Sequence, residues 1–121
     1  MEYCVFLNKI LTYDSIRYAA MFDSDFKMIV DGNKPGILPY LSRDEQANSV
    51  RYDIRRWETY KMFHNQLGES KYALVKFEKA ILLTFSLSDG KFLRLSVEPN
   101  ADYQSLISQI SIFIENNPKL Y

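Results

Sequence analysis

The chain has 121 residues, with fifteen Lys and Arg against fifteen Asp and Glu and a formal net charge of zero. Balanced charge removes any bulk electrostatic pull toward nucleic acid or anionic lipid, and 47% apolar with 25% charged residues is the balance of a folded globular protein, not of a disordered one. The single cysteine, Cys4, excludes an intramolecular disulfide framework and a multi-cysteine zinc site. The length suits one domain over residues 1–121, because domains cluster near about 100–150 residues. Met1-Glu2-Tyr3 has no basic segment, and the apolar stretch Cys4–Leu7 is too short for a signal peptide. The longest uncharged apolar run, Ala80–Leu87, falls far short of the ~20 residues that cross a bilayer. The expectation is a cytoplasmic protein without membrane insertion, its Cys4 reduced.

Tyr3, Phe6, Leu7, Ile10 and Leu11 recur at helical spacing, which predicts a short first helix over 3–11. Two β-rich runs follow, Ile16–Phe22 and Phe26–Val30, joined by the turn-type sequence Asp23-Ser24-Asp25 as a hairpin. The breaker cluster 31–36, extended by Pro39, predicts the longest loop, 31–40. Ser42-Arg43-Asp44-Glu45 then reads as a capping box, and no Gly or Pro occurs until Gly68. That predicts one helix over 42–67, about 37 Å long at 1.5 Å per residue, long enough to cross the molecule. Three strands come next, Lys71–Phe77, Ala80–Leu87 and Lys91–Val97. Their connections, Glu78-Lys79 and Ser88-Asp89-Gly90, are too short for parallel crossovers, so the strands form an antiparallel meander. Asn100 is placed to cap a last helix carrying Tyr103, Leu106, Ile107, Ile110, Phe113 and Ile114, which Asn116-Asn117-Pro118 ends.

The order is α-β-β-α-β-β-β-α. The runs 72–75 and 80–85 lack polar alternation, and a strand apolar on both sides is covered on both sides. The fold class expected is therefore α+β, a three-layer α/β/α sandwich around a five-stranded antiparallel sheet.

This layout, with its long central helix, tight hairpin at Asp89-Gly90 and apolar closing helix, resembles the roadblock / dynein light chain family over nearly the whole chain, about Tyr3 to Asn117. It departs from that family in the long loop 31–40 and in an unusually aromatic central helix with Tyr52, Trp57, Tyr60 and Phe63. The resemblance implies one long helix on one sheet face and the terminal helices on the other. It implies a homo- or heterodimer that binds small GTPases or scaffolds larger complexes, with the partner a GTPase or a related roadblock-like chain. It also places the dimer seam on helix 42–67 and strand 71–77, which gives Tyr52, Arg56, Tyr60, Phe63, Leu67, Tyr72, Leu74 and Phe77 as interface residues. The same ββαβββ core is similar to PAS-type and profilin-like sensory modules, which would bind a small ligand between sheet and helix.

On a helical projection, Ala47, Val50, Ile54 and Trp57 form one stripe of the central helix, and Tyr60, Phe63, His64 and Leu67 a second. Together they exceed the arc of roughly 100° that covering one sheet face requires. The stripe winds to follow a twisted sheet, or the loop 31–40 folds over it, or its extra face meets a second chain. The remaining polar strip, Arg51, Arg55, Glu58 and Lys61, is a possible partner contact.

Catalytic signals are sparse. His64 is the only histidine, and no Ser or Asp motif points to it. Asp23, Asp25 and Asp31 lack the spacing of a calcium loop, and Gly32 and Gly36 are followed by no Gly-Lys-Ser/Thr phosphate loop. Arg43, Arg51, Arg55, Arg56 and Lys61 are largely neutralised by Asp44, Glu45, Asp53 and Glu58, which reads as a solvated helix face and not a nucleic-acid site. The expectation is a non-enzymatic dimeric interaction module, without cofactor or metal, with a PAS-like or profilin-like sensor as the alternative and an enzyme ranked last.

Overall fold

The computed structural model of the protein describes residues 2–121. Its elements are α1 (Tyr3–Ile10), β1 (Ile16–Phe22), β2 (Met28–Asn33), α2 (Arg43–Lys61), α3 (His64–Leu67), β3 (Tyr72–Lys76), β4 (Ile81–Ser86), β5 (Phe92–Val97) and α4 (Tyr103–Asn116). The five strands form one antiparallel sheet in the order β2-β1-β5-β4-β3. The hairpin and the meander are the expected ones. Pairing of β1 with β5 joins them and leaves β2 and β3 at the two edges.

The strands bury one face under α1 and α4. Ala19 and Met21 of β1, Ile81, Leu83 and Phe85 of β4, and Leu93, Leu95 and Val97 of β5 pack there against Phe6, Ile10, Leu106, Ile110 and Tyr121. The ring of Phe6 lies 5.3 Å from Phe113 and 5.2 Å from Tyr121. On the other face, Val50 and Ile54 of α2 lie over the smaller cluster of Tyr18, Ala20, Phe22 and Phe92, and Trp57 is buried further along the helix. A β-bulge between Ile16 and Tyr18 explains the change of face along β1: Ile16 belongs to the first core and Tyr18 to the second.

Several boundaries move. β2 continues through Gly32 to Asn33, so the loop begins at Lys34, not at Asp31. Backbone pairing with Tyr18, Ala19 and Ala20 recruits these turn-type residues into the sheet. Lys34 Nζ holds the loop by donating to the carbonyls of Tyr13 and Asp14. Arg17 holds its far side by donating to Leu38 O at 3.0 Å and stacking on the Tyr40 ring. The last helix is capped by Asp102, which accepts from Ser105 N, and not by Asn100.

The largest correction concerns the central helix. The capping box forms as expected, with Ser42 Oγ accepting from Glu45 N and Glu45 accepting from Ser42 N. The helix nevertheless ends at Lys61, and one further turn, α3, follows after Met62-Phe63. The amides of Met62 and Phe63 bond back only three residues, to Thr59 and Tyr60. No Gly or Pro causes the break. Beyond Trp57 the helix has little apolar cover: Glu58 through Phe63, and Leu67, are exposed. Without packing, intrinsic preferences decide, and Thr59, Tyr60, Phe63 and His64 are all weak helix formers. Thr59 Oγ1 also donates to the Arg55 carbonyl, a bond that bends helices.

Candidate functional site

The open flank of α2, the turn α3 and the β3 strand with its end expose Tyr52, Tyr60, Met62, Phe63, Leu67, Tyr72, Val75 and Phe77. Tyr52 and Tyr60 lie two turns apart on one face of α2, with Arg56 between them. Tyr52 is 66% exposed, Met62 75% and Leu67 82%, and Tyr60 and Phe63 are also solvent-facing. Phe77, just beyond β3, is exposed, and so are Leu38 and Tyr40 on the loop. β3 has a strand neighbour on one side only.

The residues expected at an interface do not form a single surface. Tyr52, Tyr60, Phe63 and Leu67 share the open flank of α2 and α3. Tyr72 and Leu74 point the other way: they pair with Phe85 and Leu83, and Leu74 packs half-buried against the core under α1 and α4. The Tyr72 ring, exposed on that side, lies 6.0 Å from Phe85. Arg56 turns inward beneath Tyr52, with its guanidinium 5.8 Å from that ring. Its Nη2 donates to Asp53 Oδ1 at 3.0 Å and to Thr84 Oγ1 at 3.4 Å. The strip Arg51, Arg55, Glu58 and Lys61 is exposed, with Arg51 donating to Asn48 at 3.2 Å.

A charge cluster lies under α2. Asp53, assigned from sequence to the solvated face, is buried, and its Oδ2 accepts from Arg94 Nε at 3.0 Å. Arg94 Nη2 donates to Ser49 Oγ. Burial pushes the Asp53 carboxyl above the usual range, against the downward pull of Arg94 and Arg56. The sequence does carry a signal for this pair. Asp53 lies three residues after Val50 and four before Trp57, on the apolar stripe, and Arg94 is the one charge in the otherwise apolar run Phe92–Leu95. Ala47, expected on that stripe, is exposed at the start of the helix. Trp57 is buried as expected, although its Nε1 and the Nε of Arg56 have no hydrogen-bond partner among the described residues.

The other chemistry-bearing residues have structural surroundings. His64 is half-buried, and its Nε2 lies 3.4 Å from Ser70 Oγ. Cys4 is exposed. Asp23 Oδ1 accepts from the amides of Asp25 and Lys27 and so closes the first hairpin. Asp31 accepts from the Tyr18 hydroxyl. Among the described residues no group of three His, Cys, Asp or Glu side chains converges to hold a metal, and no helix is long and apolar enough to cross a membrane.

Two clefts flank the N-terminal half of α2. One, about 590 Å³, lies between the loop, the helix and the ends of β1, β4 and β5. The other, about 540 Å³, lies between the helix and the first hairpin. A smaller one, about 270 Å³, lies beside the break, bordered by Trp57, Lys61, His64, Ser86 and Phe92.

The architecture now has its counterparts. The chain superposes on a Roadblock/LC7 domain from Streptomyces avermitilis with a TM-score of 0.72, covering 97% of this chain and 95% of that one at 10% identity. The chain has the roadblock fold. A gliding protein, MglB from Thermus thermophilus, shares the roadblock fold with a TM-score of 0.75 at 13% identity, over 97% of this chain and 86% of its own. MglC from Myxococcus xanthus covers all of both chains with a TM-score of 0.66 at 10% identity. No protein-family model and no curated protein matches the chain. Identities this low carry the roadblock fold and nothing finer.

Proposed function

We propose that the protein is a cytoplasmic, non-catalytic interaction module, one roadblock-like domain over residues 1–121 that acts as a homodimer and as an adaptor or regulator. The observation that supports this reading is the occurrence together of two unpartnered features, the exposed apolar side chains of α2 and α3 and the edge position of β3. Exposed apolar surface of this kind marks a partner contact, and a free strand edge offers backbone donors and acceptors to another strand. Two β3 edges joined antiparallel about a two-fold axis would form one continuous ten-stranded sheet, bringing Tyr52, Tyr60, Phe63, Leu67 and Phe77 of each copy toward the seam. Arg56 supports Tyr52 from beneath instead of contacting the partner first. The exposed strip Arg51, Arg55, Glu58 and Lys61 is left for a second partner, a small GTPase or a related roadblock-like chain, by resemblance to the family.

Light scattering with the purified chain tests the dimer. The expected result is a mass of twice 14.2 kDa at micromolar concentration, shifting toward the monomer on Leu67→Lys. A monomer throughout that range removes the reading. The alternative, a PAS-like or profilin-like sensor, draws on one observation, the 590 Å³ cleft beside α2.

A further inference from the structure

The cleft between the loop and α2 has apolar walls and a charged floor. Ile37, Leu38, Pro39, Leu82, Ala80 and Phe77 form the walls, and Arg94 and Ser49 lie at the floor. Arg94 is only 4% exposed. Its Nε is bonded to Asp53 and its Nη2 to Ser49, while Nη1 has no protein partner among the described residues. A second guanidinium, Arg56, shares the same carboxylate. Two arginines and one aspartate leave an excess of one positive charge beneath the helix, where low dielectric makes an unmatched charge costly.

Other anions near the cleft are already engaged. Glu98 is paired with Arg17 at 2.9 Å, and Glu45 at the rim, which caps α2 through Ser42 N and keeps its negative charge, is faced in the same lining by the cations Arg17 and Lys79. We propose that this cleft binds a monocarboxylate with an apolar body, of the medium-chain fatty-acid class, its carboxylate accepting from Arg94 Nη1 and its chain lying between Leu38 and Leu82. One negative charge matches the excess, whereas a phosphate dianion would exceed it. The volume falls within the roughly 300–1,000 Å³ of small-molecule sites. Arg94 also borders the cleft on the other flank of α2, but the Asp31 carboxylate there opposes an anion. The site is built within one chain, and only Phe77 of its walls is shared with the seam of the proposed dimer.

The test is calorimetric titration of the wild-type protein with sodium octanoate and with 1-octanol, followed by 15N–1H spectra. Octanoate is expected to saturate at one molecule per chain, and 1-octanol to bind at least about tenfold more weakly for want of a charge-assisted bond. The Arg94 Nε and Ser49 amide signals should move. Leu82→Trp, which fills the cleft and leaves the charge cluster intact, should weaken octanoate by a similar factor. Arg94→Met should abolish the preference for octanoate over 1-octanol; if that variant does not fold, the two wild-type titrations and Leu82→Trp still decide. No saturable octanoate binding, equal binding of the alcohol, unchanged affinity in Leu82→Trp, or shifts confined to Phe26 and Met28 would each overturn the assignment.

Discussion

Arg94 Nε donates to Asp53 Oδ2 across 3.0 Å and ties the middle of β5 to the buried face of α2. With Arg56 on the other carboxylate oxygen, this pair holds the helix over a part of the sheet where apolar cover is thin. Asp53→Ala should therefore destabilise the fold by about 3–5 kcal/mol, because it leaves two guanidiniums buried without a counter-charge. Asp53→Asn, which keeps an acceptor, should cost less. Urea unfolding of the three proteins checks the order.

Trp57 contributes through its volume. It is buried, its ring lies 6.1 Å from Tyr60, and its Nε1 has no hydrogen-bond partner among the described residues. Trp57→Ala should cost about 3–5 kcal/mol. Trp57→Phe should cost distinctly less, since it also removes a buried donor that has no partner. Equal losses for the two variants in thermal unfolding would show that the indole N–H is bonded after all.

Tyr18 should make the protein sensitive to alkali. Burial, and then the bond from its hydroxyl to Asp31, push the phenol well above its ordinary value. The folded chain therefore keeps this proton at a pH where the unfolded chain releases it, and the folded state binds more protons. Stability from this group is fully present below about pH 10 and is lost as pH rises beyond it. Denaturant midpoints measured upward from neutral pH should fall more steeply for wild type than for Tyr18→Phe.

The exposed strip can be tested without disturbing the fold. Arg51 and Arg55 are exposed and stand clear of the Asp53 cluster. The double change to Glu should alter stability by no more than about ±0.5 kcal/mol per site. It should also weaken capture of a protein partner from native lysate. Full capture by a folded double variant would move the contact off this strip.

Local pattern was enough for the element order, the hairpin, the meander and the capping box at Ser42. Each is carried by residues near one another in sequence: alternation in the strands, Asp89-Gly90 in the turn, and Ser42 with Glu45 at the helix start. The burial of Trp57 followed from its register with Val50 and Ile54, whereas the edge strands, β2 and β3, were settled by the long-range pairing of β1 with β5. The tertiary structure alone decided what depended on distant partners. Gly32 and Asn33 are turn-prone by themselves and became strand because β1 supplied hydrogen bonds. The central helix stopped at Lys61 because little apolar packing holds the residues after Trp57. Asp53 and Arg94, forty-one residues apart, could be read singly as surface charges. Only folding set the opposite charge within hydrogen-bonding distance, which made burial of both favourable enough to tolerate and left Arg94 lining the cleft.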